Sequence, residues 1–489
     1  SEAISKKIHS DWSVNEKTAL EAALGMSYAG KRSMVCMKHV GLNVAADPFI
    51  NSAITGINGG MVVVVADDPS MHSSQNEQDS RFYGKFALIP VLEPSDQQEA
   101  YNLTYDAFRL SERYRLPVML RITTRLAHSR AAVLQKEKLP ENELCLPADF
   151  NQFVLLPAFA RKRYKGLLSL QKELLKDSGI SGNNRVEDGT NKKKGVITCG
   201  LAYNYYREIA IFEKLDYPVF KISQYPVPPE LITEFARGVE EIYVLEEGYP
   251  FLEESLTGIL PNPYRIKGRL DGTLPRDGEL NPNLVAKALD LEREQKRKVP
   301  DIVVNRPPAL CNGCGHIDMY NALNEAMAPF GRGKVFSDIG CYTLGALPPY
   351  NAINSCVDMG ASITMAKGAA DAGLHPSVAV IGDSTFTHSG MTGLLDAVFE
   401  SSPVTIIISD NFTTGMTGGQ SSHATNRLLK ICSGLGVEEE HLKVINPLRK
   451  HHVENVKIIL RELEYNGVSV IISQRECIQT ATRKKRIKK

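Results

Sequence analysis

The sequence predicts an α/β protein of three doubly wound parallel-sheet domains, on three observations. Short Val/Ile-rich runs bounded by Gly, Asp or Pro alternate with amphipathic stretches along the chain. They fall at Ser33–Met37, Met61–Ala66, Gly195–Cys199, Glu241–Leu245, Val378–Ile381 and Val404–Ser409. Runs such as Met61–Val65 are apolar at every position, so helices must cover both faces of their sheet, and a half-exposed antiparallel sheet does not fit. Two polar segments interrupt the rhythm: 161–194, charged and helical before Ser-Gly-Asn-Asn and a lysine run, and 289–299, charged and followed by a proline. Boundaries placed there give domains at 1–160, 195–290 and 300–489, a division that suits a chain of 489 residues, too long for one core.

Composition narrows the function. The formal charge is +1, which argues against a nucleic-acid partner; the one basic run near an end, 483–489, reads as a disordered tail. No apolar run approaches the roughly 20 residues that span a bilayer, and the N-terminus lacks a basic-then-apolar signal, so a cytoplasmic protein is expected. Nine cysteines, an odd number with one close pair, read as reduced thiols or ligands rather than a disulfide framework.

The strongest motif lies in the third domain. The strand Val378–Ile381 leads into Gly382-Asp383-Ser384, a helix is expected over Gly390–Glu400, and the next strand ends at Asp410-Asn411. The 28 positions between Asp383 and Asn411 hold one helix and one strand, so both side chains emerge at the carboxyl edge of neighbouring parallel strands, where open α/β sheets bind ligands. An Asp, an Asn and a nearby backbone carbonyl are hard oxygen ligands that suit octahedral Mg²⁺ also taking diphosphate oxygens. Glycines at 382, 415, 418 and 419 permit close backbone approach to phosphates. The plain alternative is that each dipeptide merely ends a strand.

With these residues the sequence resembles the thiamine-diphosphate enzymes, which carry Gly-Asp-Gly, about thirty residues, then Asn-Asn or Asp-Asn. Ser384 replaces the second glycine, and that departure resembles one branch, the large subunit of the indolepyruvate:ferredoxin oxidoreductases, in which Gly-Asp-Ser and Met-Thr-Gly recur. The resemblance implies Mg²⁺ ligands at Asp383, Asn411 and the carbonyl of Thr413, with Gly382, Ser384, Gly415 and Met416 against the cofactor. It spans nearly the whole chain, in the order pyrimidine domain, transketolase-C-like domain and diphosphate domain.

Three further constellations support the reading. Cys311-Asn-Gly-Cys314-Gly-His316 has the spacing to begin a zinc or iron-sulfur site, with Cys341 and Cys356 completing four thiolates. The resemblance instead places Cys311, Cys314 and His316 beside the cofactor, although the prolines usual in that turn are absent; Asp338, at another strand end, is expected to line the same edge. Glu16 opens a helix predicted over Lys17–Tyr28, where an acid favours the positive end; it matches the family's carboxyl that hydrogen-bonds the aminopyrimidine and promotes its imino tautomer. His39 and Arg81 stand in polar loops after the next two strands. His39 could shuttle a proton or be structural. Arg81 could clamp a substrate carboxylate or pair with Glu77 or Asp79.

Both chain ends depart from the family pattern. The family begins about two dozen residues before the stretch matching Ser1–Ile4, with a strand, a helix and a Gly-Thr-Pro turn. Its usual C-terminal module, with two Cys-x-x-Cys-x-x-Cys-x-x-x-Cys-Pro runs, is not in this sequence, so the [4Fe-4S] clusters are expected on a missing segment or on a partner subunit. The activity implied by the resemblance is oxidative decarboxylation of a 2-oxo acid, an arylpyruvate such as indolepyruvate, to acyl-CoA and CO₂. Coenzyme A is then a cosubstrate, ferredoxin or another iron-sulfur acceptor takes the electrons, and a smaller subunit completes a dimer of heterodimers. The rivals are a non-oxidative decarboxylase releasing aldehyde, and an inactive assembly subunit that binds no thiamine.

Overall fold

The computed structural model describes residues 8–149, 151–260, 265–291, 300–304 and 308–487; the Ser1–Ile4 stretch lies outside them. The chain divides into two compact units, Ser1–Arg297 and Lys298–Lys489.

The first unit carries two sheets. One runs, neighbour to neighbour, Ser33–Lys38, Met61–Asp67, Val118–Thr123 and Val91–Leu92, all parallel, with Gln224–Tyr225 antiparallel at its edge. The other runs Arg265–Lys267, Glu241–Leu245, Lys194–Cys199 and Val219–Ile222, again parallel, closed by antiparallel Arg185–Glu187. The continuous apolar run Met61–Val65 is explained by its two coverings. Met61, Val63 and Val65 pack with Leu20 and Leu24 of the helix Glu16–Tyr28 and Phe49 of Ala46–Thr55, while Val62 packs with Leu103 and Ala107 of Gln97–Tyr114. The polar segment 161–194 consists largely of the helix Pro157–Ile180, which reaches this core through Leu167 and Leu174.

The strand ends of these two sheets meet in a buried ionic cluster. Arg121 donates through Nε to Asp67 at 2.6 Å, pairs with Glu93, and reaches the carbonyl of Glu247 at 3.0 Å. Arg81 donates to Asp79 at 2.9 Å, lies 2.8 Å from Glu246, and also reaches the Glu247 carbonyl. Both guanidiniums are wholly buried and the four carboxylates nearly so. Burial pushes the carboxyls of Asp67 and Glu246 upward, because two cations cannot offset four buried anions. Glu247 is pushed up to about 7 by burial, its carboxylate held by the amide of Leu280.

The second unit holds one parallel sheet in the order Ser355–Cys356, Val335–Ser337, Ser377–Gly382, Val404–Asp410, Ser469–Gln474 and Leu442–Ile445. Alternation assigns its two faces. Val378, Val380, Ile407 and Ile471 pack on helices Gly315–Met327 and His452–Glu464, whereas Ala379, Ile381, Ile406, Ile408 and Val470 pack on Ala361–Asp371 and Met391–Glu400. Every residue of the two central strands is buried.

The tail corrects one expectation. Instead of a disordered end, Ile478–Ile487 is a helix. It contains no Gly or Pro, and cations fill its last turn, where the helix dipole favours them. Lys488 and Lys489 lie outside the described residues.

Two stability measurements follow from the ionic cluster. Arg121→Met leaves buried carboxylates without their cation and should cost about 3–5 kcal/mol in urea unfolding. Lys136→Met, which breaks a half-exposed pair with Asp106, should cost under about 1 kcal/mol; equal losses would show that burial does not set the energetics. For Glu247 the folded pKa lies above the unfolded one, so ionising it costs the fold stability as pH rises from about 4.5 toward 7. Glu247→Gln should therefore gain on wild type between about pH 5 and pH 8, by at most about 3 kcal/mol; a gap independent of pH would contradict this.

Candidate cofactor site

Asp383 and Asn411 emerge side by side, because Gly382 and Ser409 are register partners on adjacent parallel strands. The carboxyl edge of the sheet thus presents the Asp383–Thr385 turn, a π-helical turn Phe386–Gly390 and the helix Met391–Glu400 on one side. On the other side it presents the loop from Asn411 to Ser421. Single-turn π distortions of this kind cluster at functional sites. Tyr342 explains Gly382: a Cβ there would lie 2.5 Å from its ring.

Asp383 is 3% exposed, and its Oδ2 has no hydrogen-bond partner. Burial, then the neighbouring Asp410 carboxylate, pushes its pKa up to about 7. A buried carboxylate oxygen with no donor and a second anion beside it is costly unless a cation arrives. Asn411 Oδ1 accepts from the amide of Thr413 at 3.1 Å, folding the chain back so that Thr413 is buried beside it. Ser384 shares a hydrogen bond of 2.8 Å with the hydroxyl of Thr414, which ties the two loops together. Gly418 and Gly419 have φ of +127° and +79°, the region that favours glycine, and the Gly419 amide closes the turn on the Thr414 carbonyl at 3.1 Å. These donors fit a hard divalent cation with diphosphate. Met416 is 65% exposed at the loop tip, and Gly415 packs on the Cys341 sulfur.

A cavity of about 240 Å³ adjoins this loop, lined by Asn411, Gly415, His316 and the thiols of Cys311, Cys314, Cys341 and Cys477. The amide of Cys477 donates to the Asn411 carbonyl at 3.1 Å, so the segment after the last central strand is hydrogen-bonded to the ligand loop. Burial pushes the Cys341 thiol up to about 11, helped by Cys314, Cys477 and Cys311 nearby. His316 is kept neutral, lowered to about 4 by burial.

Two expectations in this unit need correction. Cys356 sits on the edge strand, its sulfur directed to the Asp338 carbonyl, and does not line the cavity; Cys477 takes its place. Among the described residues no group of three or more His, Cys, Asp or Glu could hold a single metal ion. Asp338 does not present its carboxylate to an open edge either. Tyr342 donates to one oxygen and Ser362, at the start of the helix Ala361–Asp371, donates to the other, so the acid is buried as an internal cap and pushed up to about 6 by burial.

In the first unit Glu16 begins its helix behind the cap Asn15, and it packs so tightly on the His39–Val44 helix that a Cβ on Gly41 would lie 2.5 Å from its Cγ. His39 is 1% exposed and neither ring nitrogen has a hydrogen-bond partner. Arg81 is corrected: its donors are spent on Asp79, Glu246 and the carbonyls of Glu247 and Tyr249, it is wholly buried, and no substrate carboxylate can reach it.

Comparison with known proteins identifies the setting of both regions. The family described as "Pyruvate flavodoxin/ferredoxin oxidoreductase, thiamine diP-bdg" matches residues 12–152, and "Thiamine pyrophosphate enzyme, C-terminal TPP binding domain" matches 338–452. The chain is 40% identical to indolepyruvate oxidoreductase subunit IorA of Methanothermobacter thermautotrophicus, over 96% of this chain and 79% of that protein. It is 38% identical to the subunits of the same name from Archaeoglobus fulgidus and Pyrococcus horikoshii, each over 96% of this chain and 78% of the relative. A shorter match, 29% identical over 24% of this chain and 33% of the other, is to 2-oxoglutarate synthase subunit KorA of M. thermautotrophicus. The chain therefore belongs to the indolepyruvate oxidoreductase large-subunit family, within the thiamine-diphosphate-dependent 2-oxoacid:ferredoxin oxidoreductases.

Proposed function

We propose that this chain is the catalytic subunit that oxidatively decarboxylates an arylpyruvate such as indolepyruvate, yielding CO₂ and acyl-CoA and passing two electrons singly to ferredoxin. The observation that carries the reading is the buried, unpartnered carboxylate oxygen of Asp383 beside Asn411. The names of the relatives support the substrate. Residues 1–160 then form the pyrimidine domain, 195–290 the transketolase-C-like domain and 300–489 the diphosphate domain. A smaller subunit completes a dimer of heterodimers.

Thiamine diphosphate, when bound, supplies the electron sink for decarboxylation. Asp383, Asn411 and the Thr413 carbonyl would hold Mg²⁺ and thereby neutralise the diphosphate. Gly418 and Gly419 leave the loop backbone free to approach the phosphates. Glu16 would hydrogen-bond the aminopyrimidine and manage its proton. His39, buried with neither ring nitrogen hydrogen-bonded and on the helix whose Gly41 meets Glu16, is placed to donate or accept one further hydrogen bond.

The thiol-lined cavity supports a further part of the reading. Cys311, Cys314, Cys341 and Cys477 bring four thiols to one cavity, the donor set that would hold a four-iron cluster. Such a cluster accepts electrons one at a time.

Calorimetry should show Mg²⁺-dependent binding of thiamine diphosphate that weakens by about 100-fold or more in Asp383→Ala. No binding to wild type, even with the smaller subunit present, would reject the enzyme. With indolepyruvate and coenzyme A the product should be the acyl-CoA; aldehyde alone would point to the non-oxidative decarboxylase. Anaerobically prepared protein should contain iron and sulfide that Cys477→Ala loses and Cys356→Ala keeps. Equal iron in both variants would remove the cluster from this cavity.

A further inference from the structure

The C-terminal helix Ile478–Ile487 carries Arg483, Lys484, Lys485 and Arg486 and no acid. One or two cations in a last turn satisfy the helix dipole, at about 0.3–1 kcal/mol each; four in a row add mutual repulsion. The helix is nevertheless fastened down. The side chain of Gln479 donates to the Cys311 sulfur at 3.4 Å, Arg483 donates to the Gly418 carbonyl at 3.3 Å, and Ile478 packs against Gly313. Gln479, Thr480 and Arg483 line the thiol cavity, so the basic turn stands at its rim.

The charge there is poorly compensated. Lys484 pairs with Glu476, both well exposed, while Lys485 and Arg486 have no ion pair among the described residues. Across the cavity wall, Pro447 leads to the exposed Arg449 and Lys450. Among the described residues the acid that reaches Arg449, at 3.5 Å, is Asp318, which Arg475 already holds at 2.9 Å. In a chain whose formal charge is +1, this is a local concentration rather than a bulk property.

We propose that this rim is the docking face for an acidic iron-sulfur protein that collects electrons from the chain. The inference rests on the reading of the thiol cavity as the electron exit. Charge complementarity selects the partner: redox partners meet through small, weak contacts and depend on electrostatic steering for speed and orientation. Fixed cations around the opening would bring an acidic acceptor to the shortest path from the thiols, whereas a loose tail would orient nothing.

The test is surface plasmon resonance of the whole protein with an acidic ferredoxin as the probe. Wild type should bind at about 50 mM salt and release at about 300 mM, as screened charges do. Lys485→Glu combined with Arg486→Glu should weaken binding by about tenfold or more, while Lys172→Glu with Lys176→Glu, on the helix Pro157–Ile180, should leave it unchanged. Equal affinity in the two double variants, absence of wild-type binding, or equally tight binding of a random oligonucleotide would overturn the proposal. Reduction of a small uncharged quinone, which needs no docking charge, reports separately on the electron exit. If it fails in wild type while ferredoxin binding still responds to the rim, the exit reading falls and the docking face stands; if it persists while binding ignores the rim, only the docking face falls.

Discussion

The first unit depends on two buried guanidiniums. The strand ends of its two sheets carry polar groups that would lie unsatisfied against each other. Arg81 and Arg121 reach both sides, binding Asp67, Asp79 and Glu93 from the first sheet's loops and Glu246 and the Glu247 carbonyl from the second. Desolvating these ions is expensive, and two cations cannot offset four anions. The strain shows in the carboxyls: burial pushes both Asp67 and Glu246 above the ordinary carboxylate range. Few arrangements of two strand ends would give every donor an acceptor, so the cluster fixes their register as apolar contact would not.

The candidate site positions differ. In the cluster every carboxylate is held by a cation, even Asp67, whose Oδ1 lacks a hydrogen bond, whereas both nitrogens of His39 and one oxygen of Asp383 have no hydrogen-bond partner. Each orphaned group costs about 1–3 kcal/mol, which the fold tolerates because both stand beside strands with deeply buried cores. Unmet valence inside a rigid frame is what a binding site offers: the partner that arrives recovers the penalty, and its binding stabilises the fold by mass action.

Legibility in the sequence tracked the range of the interaction. The parallel sheets were readable because apolar runs such as Met61–Val65 and Val404–Ile408 report burial on both faces locally. Asp383 and Asn411 were readable because one helix and one strand separate them, a spacing that places both at one edge. Arg81 stayed open between a substrate clamp and an ion pair because Glu246 and two of its carbonyl acceptors lie more than 160 positions away; the pair with Asp79, visible two residues earlier, is the one that forms. Cys477 was missed in favour of Cys356 because nearness in sequence to Cys341 is not nearness in space. The signal was its place just after Ser469–Gln474, the strand that pairs with Val404–Asp410 and so delivers its next residues to the same edge.

Ser384 shows how a departure from a common motif becomes part of the site. A glycine there would make the turn after Asp383 more permissive and would contribute no side-chain bond. The serine, in the middle of the Asp383–Thr385 turn, links through its hydroxyl to Thr414, on the loop that carries the other metal-ligand candidates. That loop is itself constrained: Phe412 holds φ at +61°, a left-handed conformation that costs an L-residue about 1–2 kcal/mol. The bond from the Thr413 amide to Asn411 and the Thr413 hydroxyl bond to the Gln420 carbonyl offset that strain. With the strained turn pinned at one end and the Ser384–Thr414 bond at the other, Asp383 and Asn411 are held in place before any cation binds. Pre-organisation of this kind moves part of the cost of binding into folding, and a serine in place of the second glycine is the single substitution that makes the cross-loop bond available.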